Sequence, residues 1–280
     1  LAVEWEIQGD ADLDAICKVE YRRAGETAWA AAMPLVRIPA GNTEDRTTPQ
    51  FRWVDKLSGS IFDLRPGTEY EIKLSLRDPD GGKADTVLRA STRPVPAPAA
   101  DGKVIEANPR TFERLAACAQ PGDILVLTPG YYGEWRALCD GRPGKPVVVR
   151  ADRAHPLIGS TFDGIDLQER RHVIIEGLTV RGSINIRFCE DVTVRRCSVF
   201  ALYGIIAKQQ PGCKNCYIAD NEVSWLIPWA NESIGSGSVW GGAANIGEGI
   251  EITGPGNVVC FNRVHGYRDC ISLMEDLWTY

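Results

Sequence analysis

The densest group of side chains able to move protons lies in Asn262-Arg263-Val264-His265-Gly266-Tyr267-Arg268-Asp269, with Glu275-Asp276 shortly after. His265, Tyr267 and Asp269 can hold or pass a proton, and Arg268 can neutralise a developing anion. Further up the chain, Arg187 and Lys208 offer cations and Glu251 offers a carboxylate. Abstracting a proton beside a carboxylate needs a base together with a positive group facing the developing dianion. Lys208 and Arg187 are the candidates for those parts. Glu251 and Asp269 admit a second chemistry, hydrolysis, whose two carboxyls stand about 5–5.5 Å apart for retention or about 6.5–9.5 Å for inversion. The neighbouring acids Glu275 and Asp276 suit an oxygen-liganded Ca²⁺. Ordinary solvated ion pairing accounts for the same charges without any chemistry.

Trp225, Trp229 and Trp240 fall in residues 224–248 among Gly and Ser. Such faces can stack on sugar rings, or they can pin the segment to the body of the protein. The segment is long for a mere connection.

The elements that position these groups follow from self-similarity. Val173–Val180, Val192–Val199, Cys216–Val223 and Asn257–Val264 align without gaps, with apolar residues mainly at the first, third, sixth and eighth positions. A second series, Ser183–Ile186, Gly204–Ala207, Gly249–Ile252 and Cys270–Leu273, starts at intervals of 21, 45 and 21 residues. Two strands per coil in fixed order predict a β-solenoid with equivalent strands stacked in parallel on their neighbours. With Ile184, Ile205, Ile250 and Ile271 inward, the outward columns become Asn185, Ile206, Glu251, Ser272 and Arg187, Lys208, Thr253, Met274. At the sixth position of the first series Asn221 and Asn262 are expected to form an internal ladder. His265, Tyr267, Arg268 and Asp269 are expected at the bend between the two series, with the 24 extra residues of the 45-residue interval forming the tryptophan-bearing insertion.

Residues 1–94 read differently, as short alternating strands at Val3–Ile7, Ile16–Tyr21, Gly59–Asp63 and Glu69–Leu76 separated by polar turns. In Leu64-Arg-Pro-Gly-Thr-Glu-Tyr70 the tyrosine is placed to bond back to its own corner. These features resemble a fibronectin type III domain, which implies a β-sandwich spacer. Residues 95–102 are a Pro-rich linker. Asn108-Pro109 with Phe112, Leu115, Ala116 and Ala119 predicts a short capping helix at about 109–119.

The helix, the Pro121-Gly-Asp strand with its Gly-Tyr turn, the coil length and the asparagines of 103–280 resemble the right-handed parallel β-helix, or pectate-lyase-like, superfamily. The reading is therefore all-β: a fibronectin type III-like sandwich (1–94), a linker (95–102) and a right-handed parallel β-helix with an N-terminal capping helix (103–280). The last strand is followed by no visible cap, as in a C-terminally truncated fragment. The resemblance implies a secreted, periplasmic or cell-surface protein acting on an acidic polysaccharide, as a lyase, a glycoside hydrolase or a non-catalytic binding module. Lys208, Glu251, His265, Arg268 and Asp269 are the candidate catalytic residues. Arg187, Trp225, Trp229, Trp240 and Tyr267 are the candidate substrate contacts.

A net charge of −6 and a pI near 5.3 give no basic footprint for nucleic acid. No run approaches the roughly 18 apolar residues of a membrane span, so no insertion is expected. Nine cysteines with irregular spacing read mostly as free packing residues. Cys213-Lys-Asn-Cys216 lacks the second ligand pair that a zinc site needs.

Overall fold

The computed structural model describes residues 1–42, 52–152, 159–207, 211–226, 247–267 and 269–273. The chain divides into two compact units, Leu1–Val95 and Pro96–Tyr280.

The first unit is an antiparallel β-sandwich. One sheet orders Ala30–Ala31, Ile16–Arg23, Glu69–Arg77 and Lys83–Ser91, and another orders Ala2–Glu6, Lys56–Ser60 and Val36–Ile38. Alternation along these strands sends Val3, Cys17, Val19, Leu57, Ile72 and Leu74 into one core. The Tyr70 hydroxyl accepts the Arg65 N–H at 2.8 Å, closing the expected corner.

The second unit is a right-handed parallel β-helix of three sheets. Sheet 1 runs from Val104–Ala107 to Val258–Cys260, sheet 2 from Gly130–Tyr131 to Arg263–His265, and sheet 3 from Glu134–Arg136 to Asp269–Leu273. Both repeat series hold their register: Val194 lies opposite Ile218 in sheet 1, and Ile184, Ile205, Ile250 and Ile271 form one column in sheet 3. Val149, Ile175, Val194 and Ile218 line the interior from sheet 1, while Phe162, Val180, Val199 and Val223 do so from sheet 2. Each such side chain contributes about 1.5–3 kcal/mol by leaving water.

Coils turn on residues with left-handed backbone. Between sheets 1 and 2 the position is filled by Gly177, Arg196, Asp220 and Phe261, and before sheet 1 by His172, Asp191, Asn215 and Gly256. Between sheets 2 and 3, Gly247 and Gly266 are required by close approach, since a Cβ on either would lie 1.9 Å from the carbonyl oxygen of Leu202 or Trp225 in the neighbouring coil.

The capping helix spans Phe112–Ala117, shorter than 109–119. The Asn108 carboxamide accepts the N–H groups of Arg110 and Thr111 and so closes a turn ahead of the helix. Phe112 plugs the tube, edge-on to Tyr132, Trp135 and Phe162 at 5.1–5.5 Å between centroids.

The stretch from Pro96 packs on the outward side of sheet 1. Buried Arg195 donates to the Pro96 carbonyl at 2.6 Å and to the Glu176 carboxylate at 2.9 Å, while Arg196 reaches the other Glu176 oxygen at 2.7 Å. Ala99 is buried, and Gly102 lies against Ile124.

Candidate functional site

Parallel stacking converts a column of sequence positions into a straight row of side chains. On the outward side of sheet 3 the row is Arg136, Asp166, Asn185, Ile206, Glu251 and Ser272, one per coil. Its first half is a connected polar ladder. Asn185 Nδ2 donates to Asp166 Oδ1 at 2.9 Å, and Arg187 donates from both Nε and its backbone N–H to Asn185 Oδ1 at 3.0 and 3.1 Å. Arg136 Nε stands 3.7 Å from the other Asp166 oxygen. Arg187 is thus held by the neighbour that fixes its backbone, and a guanidinium so placed can meet an anionic ligand. Nearby, at the corner with sheet 2, exposed Tyr131 donates to Asp163, and that bond to a carboxylate raises the phenol above its ordinary range.

The second half of the row departs from expectation. Glu251, expected on a solvated patch, is fully buried, as is Thr253. The sequence pattern gives side but not cover, and the outward position here is covered. Glu251 and Asp269 are not register partners: Glu251 pairs with Ser272, and Asp269 pairs with Glu248, which pairs in turn with Tyr203. The acids in register across these two strands are Glu248 and Asp269.

His265 ends a sheet 2 strand, with Nε2 3.5 Å from Glu222 Oε1, and Arg263 approaches the same oxygen at 3.4 Å. It stands in register with Ser224, on the outward side of that sheet. Tyr267 is a core residue, 4% exposed, its hydroxyl donating to the Ala201 carbonyl at 2.7 Å. Burial pushes its phenol up, so the expected sugar contact gives way to a structural pin. Trp225 is half-buried, tilted against Phe200 at 4.9 Å between centroids. Lys208, Trp229, Trp240, Arg268, Glu275 and Asp276 lie outside the described residues.

Sequence reasoning missed Arg136, Asp166 and Glu248. A signal existed for the first two: extending the second series back by one coil gives Gly164-Ile-Asp166, and by another Glu134-Trp-Arg136, each with an apolar residue followed by a charged one.

Among the described residues, the one group of three metal-ligating side chains is Asp10, Asp12 and Asp14, with ligand atoms within 4.8 Å of one another. The donor type suits Ca²⁺. Asp10, however, already pairs with Arg37 and accepts the N–H groups of Asp14 and Ala15, and this holds its carboxyl below the usual range. A cation there would compete with a guanidinium. No cysteine is in a disulfide, and Cys213 and Cys216 are buried packing residues whose thiols face backbone carbonyls. No helix among the described residues is long and apolar enough to cross a membrane.

No protein-family model matches the chain, and no curated protein does. Among solved structures, the chain is similar to the crystal structure of pectate lyase Pel9A, with a TM-score of 0.36 and 13% identity over 55% of this chain and 46% of that one. The match therefore spans less than half of that protein's length.

Proposed function

We propose that the outward face of sheet 3 binds an acidic polysaccharide lengthwise and that the protein cleaves it by β-elimination. The observation that carries this reading is the ladder Arg136–Asp166–Asn185, which runs parallel to the solenoid axis with one rung per coil and holds Arg187 beside its third rung. Rungs about 4.8 Å apart offer a linear polymer a repeating set of contacts, and the guanidinium of Arg187, held by Asn185, suits its carboxylates. In this reading Arg187 stabilises the dianion formed when the proton beside a uronate carboxylate is removed. Lys208, the next cation along the same outward column in the sequence, is the proposed base. His265 and Asp269, in a coil further along the solenoid, are proposed to contact the polymer there, and Trp225 and Phe200 to offer an aromatic edge.

A specific observation favours a second reading. Glu248 and Asp269 sit directly opposite each other in adjacent strands, and a retaining mechanism would require their carboxyls to stand about 5–5.5 Å apart.

One experiment separates the two. The protein is incubated with a panel of uronic-acid polymers while absorbance from unsaturated ends and total reducing ends are followed together. Elimination produces both signals, hydrolysis only the second, and a binding module neither. Arg187→Ala is expected to lower turnover by about 10²-fold. Undiminished turnover in that variant would remove sheet 3 from the mechanism.

A further inference from the structure

The sheet 3 face has a closed end. Among the described residues its first strand, Glu134–Arg136, has no further strand beside it, and a cleft of about 250 Å³ lies there between that strand and the capping helix. Pro109, Glu113 and Tyr132 contribute to one side, and Glu134, Arg136 and Leu138 to the other. Arg136 is also the first rung of the polar ladder, so the cleft continues the same face.

We propose that this cleft is a terminal subsite that holds the end ring of the bound polysaccharide and selects an uncharged ring there. The inference rests on the proposed lengthwise binding along sheet 3. A polymer lying on the ladder reaches at this end the cleft that the capping helix shares with the strand. The volume is below the roughly 300–1,000 Å³ of drug-sized pockets and matches a single sugar ring. Its floor is rigid, because Trp135 turns inward and packs on Phe112 at 5.1 Å. Leu138, 63% exposed, offers an apolar patch for a ring face.

Charge sets the specificity. Two carboxylates, Glu113 and Glu134, share the cleft with one guanidinium, Arg136, which Asp166 already approaches at 3.7 Å. A uronate carboxylate placed there meets net negative charge, whereas the hydroxyls of a neutral ring can donate to both acids. The ladder beyond it, with Arg187, favours the charged rings.

The test uses oligouronates of one length, either fully charged or with the carboxylate of one terminal ring reduced to a primary alcohol, the reduced ring at either end. Calorimetry on the intact chain is expected to show about fivefold or tighter binding for the oligomer reduced at one particular end. The double variant Glu113→Gln, Glu134→Gln is expected to lose that preference while keeping its melting temperature. Arg187→Ala is expected to weaken all the ligands alike. Equal binding of all the oligomers to the unmodified protein, with sensitivity to Arg187→Ala retained, would overturn the subsite and leave lengthwise binding standing. No binding of any oligomer would overturn lengthwise binding itself, and the subsite with it.

Discussion

Asn221 donates its side-chain amide to Oδ1 of Asn262 in the next coil at 2.9 Å, and that same oxygen accepts the Asn221 backbone N–H at 3.0 Å. In the other direction Asn221 Oδ1 accepts the Cys197 N–H, and its amide also reaches the Val194 carbonyl. The side chain satisfies main-chain groups at a turn where no strand partner is available. Asn221→Ala should therefore destabilise the protein by about 2–4 kcal/mol, since several buried groups lose partners at once. Chemical denaturation measures this, and a loss below about 1 kcal/mol would mean that water replaces the amide.

Phe261 occupies a left-handed corner at φ 56° and is 84% exposed. That conformation costs an L-residue about 1–2 kcal/mol, partly offset when glycine adds freedom to the unfolded chain. Phe261→Gly should stabilise by about 0.5–1 kcal/mol, read as a higher midpoint in urea. Gly177, in the equivalent corner at φ 73°, should respond to Gly177→Ala with a lower one.

Removing Arg195 takes a guanidinium partner from buried Glu176 and frees the Pro96 carbonyl. Arg195→Ala should cost about 3–5 kcal/mol, the usual scale for breaking one side of a buried pair. Limited proteolysis of this variant should cut within residues 96–102, a stretch that the unmodified protein should protect. An unchanged cleavage map would place the anchoring of that stretch elsewhere.

Burial pushes the thiols of Cys189 and Cys197 up from 9.0 to about 12. An acid whose folded pKa is raised holds its proton after the unfolded chain has released it. Stability is thus full below about pH 9 and falls as pH rises toward 12, by about 1.4 kcal/mol per pH unit for each thiol. Denaturation at pH 8, 9 and 10 should show this decline, and Cys197→Ala should make it shallower. Parallel slopes in the two proteins would assign the decline to lysines and tyrosines instead.

The fold was legible because a solenoid writes its interior into the sequence repeatedly. Ile184, Ile205, Ile250 and Ile271 must all face inward to share one column, and the 21-residue interval follows from that demand. The asparagine ladder was legible for the same reason. The outward side obeys no such rule. Glu251 looks solvated because it alternates with Ile250 and Ile252, yet its burial depends on what lies over the strand, which alternation cannot report. Tyr267 looks available among polar neighbours, but its fate depends on the Ala201 carbonyl two coils away. Glu248 was passed over because it opens its strand, where the alternation has not yet begun.

The register on either side of residues 227–246 has an engineering consequence. Ser224 pairs with His265 before the insertion, and Ile205 pairs with Ile250 after it, so the coils meet as they do where no extra residues intervene. Gly247 re-enters under the Leu202 carbonyl in the way that Gly266 does under that of Trp225. This corner therefore behaves as a cassette port: segments of other lengths, or foreign binding loops, can be exchanged between Leu226 and Gly247 without re-registering a single strand.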